Sequence, residues 1–406
     1  MNQLKIAIIK ERKTPPDRRV VLSPEQLLAA KQRFPQVVFK IEASNIRVFS
    51  DEAYQKAGFE VSRAVSNCDV FIGIKEVPVE ALIPNKTYLF FSHTIKKQVH
   101  NRSLLKAVLD KNITLIDFET MVNSQGKRLL GFGKYAGIVG TYNGLRTWGL
   151  KYDTWQLHKA GELNDQHDLL YHLKKLKLPN LKILATGNGR VAKGVEAMLD
   201  VMHIKAVSVD AFLNNTFHEP VYCKIHVGDY YKHKAETVFN KIHFYENPQD
   251  YESDFMKFAR MADLLFAGHF YSEGAPYFYT KEDVQSSAFN IKVVADISCD
   301  VNGPLATTLR SSNIEAPIYG YDPKTGQETD FKNKNAIAVM AVSNLPCELP
   351  KDASEGFGEV FLEEILPAFF NNDKDGILRR AKITENGKLT KRFKYLQDYV
   401  GGNEHF

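Results

Sequence analysis

The strongest constraint on the fold of this 406-residue chain is the stretch ILATGNGRVAKG at positions 183–194. An apolar run is followed by the pattern GxGxxA and then by residues that favour a helix. In this arrangement Gly187 permits a tight turn, Gly189 lets the backbone approach a pyrophosphate, and Ala192 lets the helix lie close to the strand. The helix N-terminus then offers N–H groups to phosphate oxygens. The stretch therefore predicts a strand–turn–helix unit that binds a dinucleotide. The candidate coenzyme-binding residues in this unit are Gly187, Gly189, Arg190 and Val191.

An acidic residue is expected at the end of the following strand, roughly 20 residues further on, where it binds the ribose hydroxyls. Asp210 follows the predicted strand Ala206–Val209 at about this distance. A carboxylate at this point favours NAD over NADP, but neighbouring loop residues can reverse the preference. The expected cofactor is therefore NAD or NADP.

Strand-like and helix-like segments alternate along the chain, which predicts an α/β fold with parallel sheets. The predicted strands are Leu4–Ile9, Val37–Ile41, Val70–Lys75, Tyr88–Ser92, Thr114–Asp117, Lys182–Thr186, Ala206–Val209, Leu264–Ala267 and Lys292–Asp296. The predicted helices begin after the cap Ser23 and cover Asp51–Gly58, Leu104–Asn112 and the glycine-rich stretch Phe132–Leu150. The length favours two domains, and we interpret both as Rossmann-like. The aromatic and basic segment Val221–Asp250 is interpreted as a solvated surface insertion.

Titratable residues follow three predicted strands in the first part of the chain. Lys75 and Glu76 end one strand, His93 ends the next, and Glu119 follows a third. Each is an ordinary surface residue when taken alone. Because α/β proteins place their chemistry at strand ends, the set predicts an active site there.

Composition excludes several classes of function. The net charge is only +5, and Lys and Arg are mixed with Asp and Glu, so no nucleic-acid partner is expected. No apolar run reaches the length of a membrane span, and the N-terminus looks like a first strand rather than a signal peptide, so we expect a cytoplasmic protein without a membrane partner. The four cysteines stand alone, away from histidines at ligand spacing, so no metal site is expected.

Several motifs together resemble the lysine-forming saccharopine dehydrogenases (lysine–2-oxoglutarate reductases), within the superfamily of alanine dehydrogenase and transhydrogenase. The motifs are Lys10-Glu11, Arg19–Pro24 (RVVLSP), Gly73–Pro78 (GIKEVP), Phe90–Lys96 (FFSHTIK), Asp117–Glu119 (DFE), Phe132–Gly140 (FGKYAGIVG), Asn143–Arg146 (NGLR), Thr186–Gly194, Asp296–Asp300 (DISCD) and Asn344–Glu355 (NLPCELPKDASE). The resemblance runs from residue 4 to about residue 370.

The resemblance implies an oxidoreductase that condenses lysine with 2-oxoglutarate and reduces the imine to saccharopine. It implies proton transfer by Lys75 and His93, with Asp300 near the nicotinamide of the coenzyme. The implied substrate-binding residues are Lys13, Arg19, Glu76, Lys96, Glu119 and Arg128. We expect a discontinuous substrate and catalytic domain (1–135 plus 347–406), a dinucleotide-binding domain (136–346), and an active site in the cleft between them.

Two other functions remain open: alanine dehydrogenase or another amino-acid or opine-type dehydrogenase, and a non-catalytic nucleotide-binding homologue. The family also contains a bifunctional enzyme with a second, glutamate-forming half, for which this chain lacks room. Either a separate glutamate-forming saccharopine dehydrogenase carries out that step, or this chain acts on a related substrate. The expected partners are an amino acid and a 2-oxo acid, and assembly into a homo-oligomer is left open.

Overall fold

The computed structural model describes residues 3–271 and 274–402. The chain divides into two compact units, Met1–Phe132 with Pro350–Phe406, and Gly133–Leu349. The outermost residues of the predicted first domain, 1–2 and 403–406, lie outside the described residues. The assignment of a substrate role to one unit and a coenzyme role to the other remains a prediction.

The first unit is built on a six-stranded parallel sheet. Its strands are β1 (Leu4–Ile8), β2 (Val37–Glu42), β3 (Glu60–Ser62), β4 (Val70–Ile72), β5 (Thr87–Phe90) and β6 (Thr114–Asp117). Its helices are α1 (Pro24–Arg33), α2 (Asp51–Lys56) and α3 (Arg102–Asp110). The strand order is β3-β2-β1-β4-β5-β6. The predicted cap Ser23 is confirmed, because its hydroxyl accepts the Gln26 N–H and the Gln26 side chain accepts the Ser23 N–H.

The second unit is built on an eight-stranded sheet. Its helices are α4 (Gly133–Tyr152), α5 (Gln166–Leu173), α6 (Arg190–Val201), α7 (Val209–Asn214), α8 (Val227–Tyr230), α9 (Lys241–Glu246), α10 (Met256–Ala259) and α11 (Lys281–Gln285). Its strands are β7 (Lys182–Thr186), β8 (Lys205–Ala206), β9 (Val221–Ile225), β10 (Tyr231–His233), β11 (Tyr251–Ser253), β12 (Leu264–Ala267), β13 (Val293–Asp296), β14 (Ile318–Tyr321), β15 (Glu328–Thr329) and β16 (Ile337–Met340).

The order in the large sheet is β15-β14-β16-β13-β12-β7-β9-β8, while β10 and β11 form a separate antiparallel ribbon. Strands β8, β9, β7, β12, β13 and β16 run parallel, which confirms the predicted parallel core. Strands β14 and β15 add an antiparallel edge that the sequence analysis did not predict.

The glycines of α4 allow close contact with α6. A Cβ on Gly137 would lie 2.1 Å from the Val191 carbonyl oxygen, and one on Gly194 would lie 2.2 Å from that of Lys134. Side chains at these positions would therefore push the two helices apart.

Two sequence-based expectations in this unit are wrong. The predicted strand Ala206–Val209 is only the two-residue β8, because Ser208 caps a helix whose first residue is Val209. The segment after residue 220 is not a solvated insertion: it supplies β9, and Tyr230, Tyr231 and Phe244 are buried in a core beneath the sheet.

The C-terminal part returns to the first unit with α12 (Pro350–Val360), α13 (Ile377–Ala381), α14 (Gln397–Gly401) and the hairpin β17 (Thr384–Glu385)–β18 (Lys388–Leu389). The Ser354 hydroxyl accepts the Val20 N–H at 3.0 Å. Helices α12 and α13 therefore add side chains to the core around β1 to β6. Within 3–271 and 274–402, none of the helices has the length and apolar character needed to cross a bilayer.

Candidate functional site

The predicted polar strand ends lie at one edge of the first sheet. Strands β1, β4, β5 and β6 are neighbours in this order and all run parallel, so their carboxyl ends share an edge. The Phe91 N–H donates to the Ile74 carbonyl at 3.0 Å, which continues the pairing beyond β4 and β5. Lys75 and His93 therefore come directly after two backbone segments that lie side by side.

Glu119 is the centre of a charged cluster at this edge. Its Oε2 lies 3.1 Å from His93 Nδ1, and its Oε1 lies 3.4 Å from Lys96 Nζ and 3.7 Å from Arg128 Nη1. Burial raises the pKa of Glu119, but the His93 hydrogen bond and the charges of Lys96 and Arg128 outweigh it and lower the pKa to about 2. Three of the predicted site residues therefore meet around the carboxylate of a fourth, Glu119.

A second acid, Asp117, holds the backbone around this cluster. Its Oδ2 accepts both the N–H and the hydroxyl of Ser92, and its Oδ1 accepts the Glu119 N–H at 2.7 Å. The two bonds from Ser92 join the end of β5 to the end of β6. The residue after Ser92 is His93, whose backbone is left-handed with φ 56°. Burial raises the pKa of Asp117 to about 6. Sequence reasoning missed this role because it depends on the pairing of β5 with β6.

Glu11, which follows β1, likewise binds the backbone that follows β4. Its two carboxylate oxygens accept the N–H groups of Ile74 and Lys75 at 2.6 and 2.8 Å. Burial raises the pKa of this carboxyl to about 7, despite the two backbone bonds. Glu11 was visible in the Lys10-Glu11 motif, but nothing in the sequence placed it beneath Lys75.

Lys13 and Glu76 form an ion pair at the same edge, with Nζ 2.6 Å from Oε1. Burial raises the pKa of Glu76, and the bond and charge of Lys13 reverse this shift and lower the pKa. The charge of Lys75 also helps to lower the pKa of Asp17, so Lys75 lies within electrostatic reach of the loop after β1.

Arg19 forms a buried ion pair. Its Nε and Nη2 donate to the two oxygens of Asp17 at 3.0 and 2.6 Å, and both side chains are only 2% exposed. The guanidinium also lies 4.2 Å above the ring of Phe132. The carboxylate that Arg19 binds in this structure is therefore Asp17, because the buried acid satisfies the guanidinium fork from within.

The predicted dinucleotide turn has the required geometry in the second unit. Gly187 has φ +101°, and a Cβ there would lie 2.6 Å from the Gly268 carbonyl oxygen. A Cβ on Gly189 would meet nothing within 4 Å. Helix α6 begins at Arg190 and Val191 without a side-chain cap. Open space above Gly189 and uncapped N–H groups fit a pyrophosphate.

Asp210 does not lie where the sequence placed it. It is in the first turn of α7, where it accepts a hydrogen bond from Asn214, and the strand paired with β7 is β9 rather than β8. The Gly187 N–H donates to the Ile225 carbonyl at 2.8 Å, so the end of β9 adjoins the glycine turn. After β9, Asp229 Oδ2 accepts the His226 N–H at 2.8 Å and lies 2.9 Å from His226 Nδ1.

His269, also missed by the sequence analysis, lies beside the glycine turn. Its Nδ1 is 2.9 Å from the hydroxyl of Thr186, which also accepts the Gly268 N–H. The ring packs against Phe278, and burial lowers the pKa of His269 to about 3. A buried imidazole therefore joins the end of β12 to the end of β7.

Asp300 lies in the turn after β13. Burial, assisted by the charge of Asp296, raises the pKa of Asp300 to about 6. Asp296 itself is buried and accepts hydrogen bonds from Ser298, Cys299 and Thr308, so it holds the turn.

The chain resembles known proteins in sequence and in fold. Residues 7–139 match the family model "Alanine dehydrogenase/PNT, N-terminal domain". The alpha-aminoadipic semialdehyde synthase of Rattus norvegicus, named mitochondrial, is 28% identical over 94% of this chain and 46% of its own length. A protein of Schizosaccharomyces pombe named saccharopine dehydrogenase (NAD(+), L-lysine-forming) is 26% identical over 84% of this chain and 87% of its own length. This chain thus spans about half of the rat relative.

A solved L-alanine dehydrogenase has the same fold, with a TM-score of 0.66 and 16% identity over 98% of this chain and 99% of the other. This likeness confirms the predicted α/β architecture. The match of residues 7–139 to the family model and the two named relatives confirm the predicted resemblance.

Proposed function

We propose that this chain is a nicotinamide-dependent oxidoreductase that condenses the ε-amine of L-lysine with 2-oxoglutarate and reduces the product to saccharopine, reversibly. The observation that carries the proposal is the cluster in which Glu119 meets His93, Lys96 and Arg128. Relatives of matching name align along most of the chain, which supports the same assignment.

The charge of the cluster suits a substrate with several carboxylates. Lys96 and Arg128 are 46% and 42% exposed and share one oxygen of Glu119, so both cations are accessible to a carboxylate of a substrate. Lys13 is paired with Glu76 at the same sheet edge. Saccharopine carries three carboxylates, whereas alanine carries one, so two accessible cations favour the larger substrate.

The reaction needs proton transfer at the substrate nitrogen and at the oxygen lost as water. Lys75 and His93 are the groups that we assign to these transfers. Glu119 orients the His93 ring through Nδ1, which turns Nε2 away from the carboxylate. Glu11 and Asp117 hold the two backbones from which these side chains project.

The coenzyme would supply or accept the hydride. The turn at Gly187 and Gly189 and the start of α6 fit its pyrophosphate. We assign ribose recognition to the end of β9, and to Asp229 in particular, because β9 is the strand beside the glycine turn. A carboxylate there favours NAD, since it accepts the ribose 2′-hydroxyl and repels a 2′-phosphate.

The test is the oxidation of NADH or NADPH, followed by absorbance, with lysine plus 2-oxoglutarate beside pyruvate plus ammonia. We expect turnover with the first pair and with NADH. Lys75→Met should abolish it while NADH still binds, and Lys86→Met is a matched control away from the site.

Turnover with pyruvate and ammonia alone would instead identify an alanine dehydrogenase. Nucleotide binding without turnover on either pair would identify a non-catalytic homologue. Either result would contradict the proposed substrate pair.

A further inference from the structure

Two histidines and an aspartate meet in a part of the second unit that the proposed reaction does not use. His233 is in β10, His243 is in α9, and Asp250 ends the 3₁₀ turn Pro248–Asp250. One ligand atom of each lies within 4.8 Å of the others, and all three side chains are partly exposed. Their separation in sequence follows no metal-binding motif, so only the folded segment brings them together.

The frame around the three side chains is well packed. The ribbon pairs His233 with Tyr251, which places Asp250 beside the end of β10. Tyr251 and Phe244 are buried beneath them. The Lys234 N–H donates to the Asp250 carbonyl at 2.9 Å, so the backbones that carry His233 and Asp250 are joined directly.

The hydrogen bonds of Tyr251 determine which nitrogen of His243 is available. The Tyr251 hydroxyl donates to the Asn240 carbonyl at 3.1 Å, so it accepts from His243 Nδ1 at 3.2 Å. The ring proton is then on Nδ1, and the lone pair of Nε2 is directed towards Asp250 Oδ2, 3.8 Å away. Two acceptor atoms at this separation suit a cation between them. A histidine that binds a metal ion through one ring nitrogen usually donates a hydrogen bond from the other.

We propose that His233, His243 and Asp250 bind one divalent transition-metal cation of the Zn²⁺ or Co²⁺ type. Two imidazoles and a carboxylate suit such ions, and three protein ligands leave a position for water. In this structure His233 Nδ1 accepts the Ala235 N–H at 3.1 Å. Binding of the cation would replace this hydrogen bond by a bond from the His233 ring to the metal. The sequence predicted no metal site because the four cysteines lie apart from one another and from histidines. The proposed site contains no cysteine, so that argument does not apply to it.

The test is titration of the untagged, metal-free full-length chain with Co²⁺, followed by its visible absorption, and then with Zn²⁺ by calorimetry. We expect one Co²⁺ per chain, displaced by Zn²⁺, and a rise in melting temperature with Zn²⁺ because the cation binds only the folded segment. His233→Ala, His243→Ala and Asp250→Asn should each weaken binding roughly tenfold or more.

His218→Ala is the matched control, since this exposed histidine lies outside the cluster, and it should bind like the wild type. Circular dichroism of each metal-free variant checks the fold, and Asp250→Asn keeps the side-chain shape. Binding that is unchanged in the His233→Ala/His243→Ala double variant, or no stoichiometric binding to the wild type, would overturn the proposal. Neither outcome bears on the proposed reaction.

Discussion

At the scale of single residues, the candidate site is organised by three acids rather than by the bases alone. Glu119 collects the exposed cations, while Asp117 and Glu11 accept backbone N–H groups across neighbouring strands. Sequence reasoning found Glu119 because it follows a strand. It missed the roles of the other two because an acid that binds backbone looks like any loop acid until the strand order is known.

Glu119→Gln should lower kcat/KM with lysine and 2-oxoglutarate roughly 100-fold, since loss of the charge releases Lys96 and Arg128 and lets the His93 ring turn. Steady-state kinetics measures this. Glu363→Gln removes an exposed ion pair with Arg33 and serves as the control with unchanged kinetics. Activity of the Glu119 variant within threefold of wild type would remove Glu119 from the site.

Glu11 should make folding stability depend on pH. Its pKa rises from 4.5 to about 7 on folding, so the folded state binds the proton more tightly. Stability from this group is therefore complete below pH 4.5 and lost as the pH rises to 7, by roughly 3 kcal/mol. Urea unfolding of the wild type and of Glu11→Gln across this range measures the difference. Parallel profiles for the two proteins would contradict the shift.

Asp229→Ala should weaken NADH binding roughly tenfold and narrow the preference for NADH over NADPH, since one charged hydrogen bond to the ribose is lost. Asp210→Ala should leave both affinities unchanged, because Asp210 is in α7 beyond the two-residue β8. Fluorescence titration of both coenzymes measures the two variants. The opposite pattern would restore Asp210 as the ribose ligand.

At the scale of elements, the sequence was most informative where strands are buried and bounded by polar residues. Strands β6, β7 and β12 have the predicted limits because their apolar runs end abruptly. The failure at β8 and β9 has a physical cause. Pairing partners are chosen by long-range contacts, and the aromatic segment after residue 220 has no clear period until its side chains are packed.

Gly137 packs α4 against α6, whereas Gly189 lies in the glycine turn before α6, so we expect substitutions of the two to have different effects. Gly137→Ala should destabilise the fold by about 3 kcal/mol, because its Cβ would lie 2.1 Å from the Val191 carbonyl oxygen. Gly189→Ala should leave the melting temperature unchanged, since its Cβ meets nothing within 4 Å, and should weaken nucleotide binding. Thermal unfolding and NADH titration of both variants test this. Equal melting temperatures for the two would contradict the packing argument.

At the scale of the whole molecule, the proposed function gives each unit its own part: the Glu119 cluster lies in the first unit, and the glycine turn and the end of β9 lie in the second. The fold class and the polar strand ends could be predicted from short motifs. The burial of the Arg19–Asp17 pair and the position of Asp210 in α7 could not, because burial and strand pairing depend on tertiary contacts that a linear pattern does not record.

The most direct measurement is mass spectrometry of the product formed from lysine, 2-oxoglutarate and NADH that carries deuterium at the transferable C4 position. The account predicts saccharopine, containing the carbon skeletons of both substrates and one transferred deuterium. The absence of deuterated saccharopine, with deuterated alanine formed when pyruvate and ammonia replace the two substrates, would contradict it.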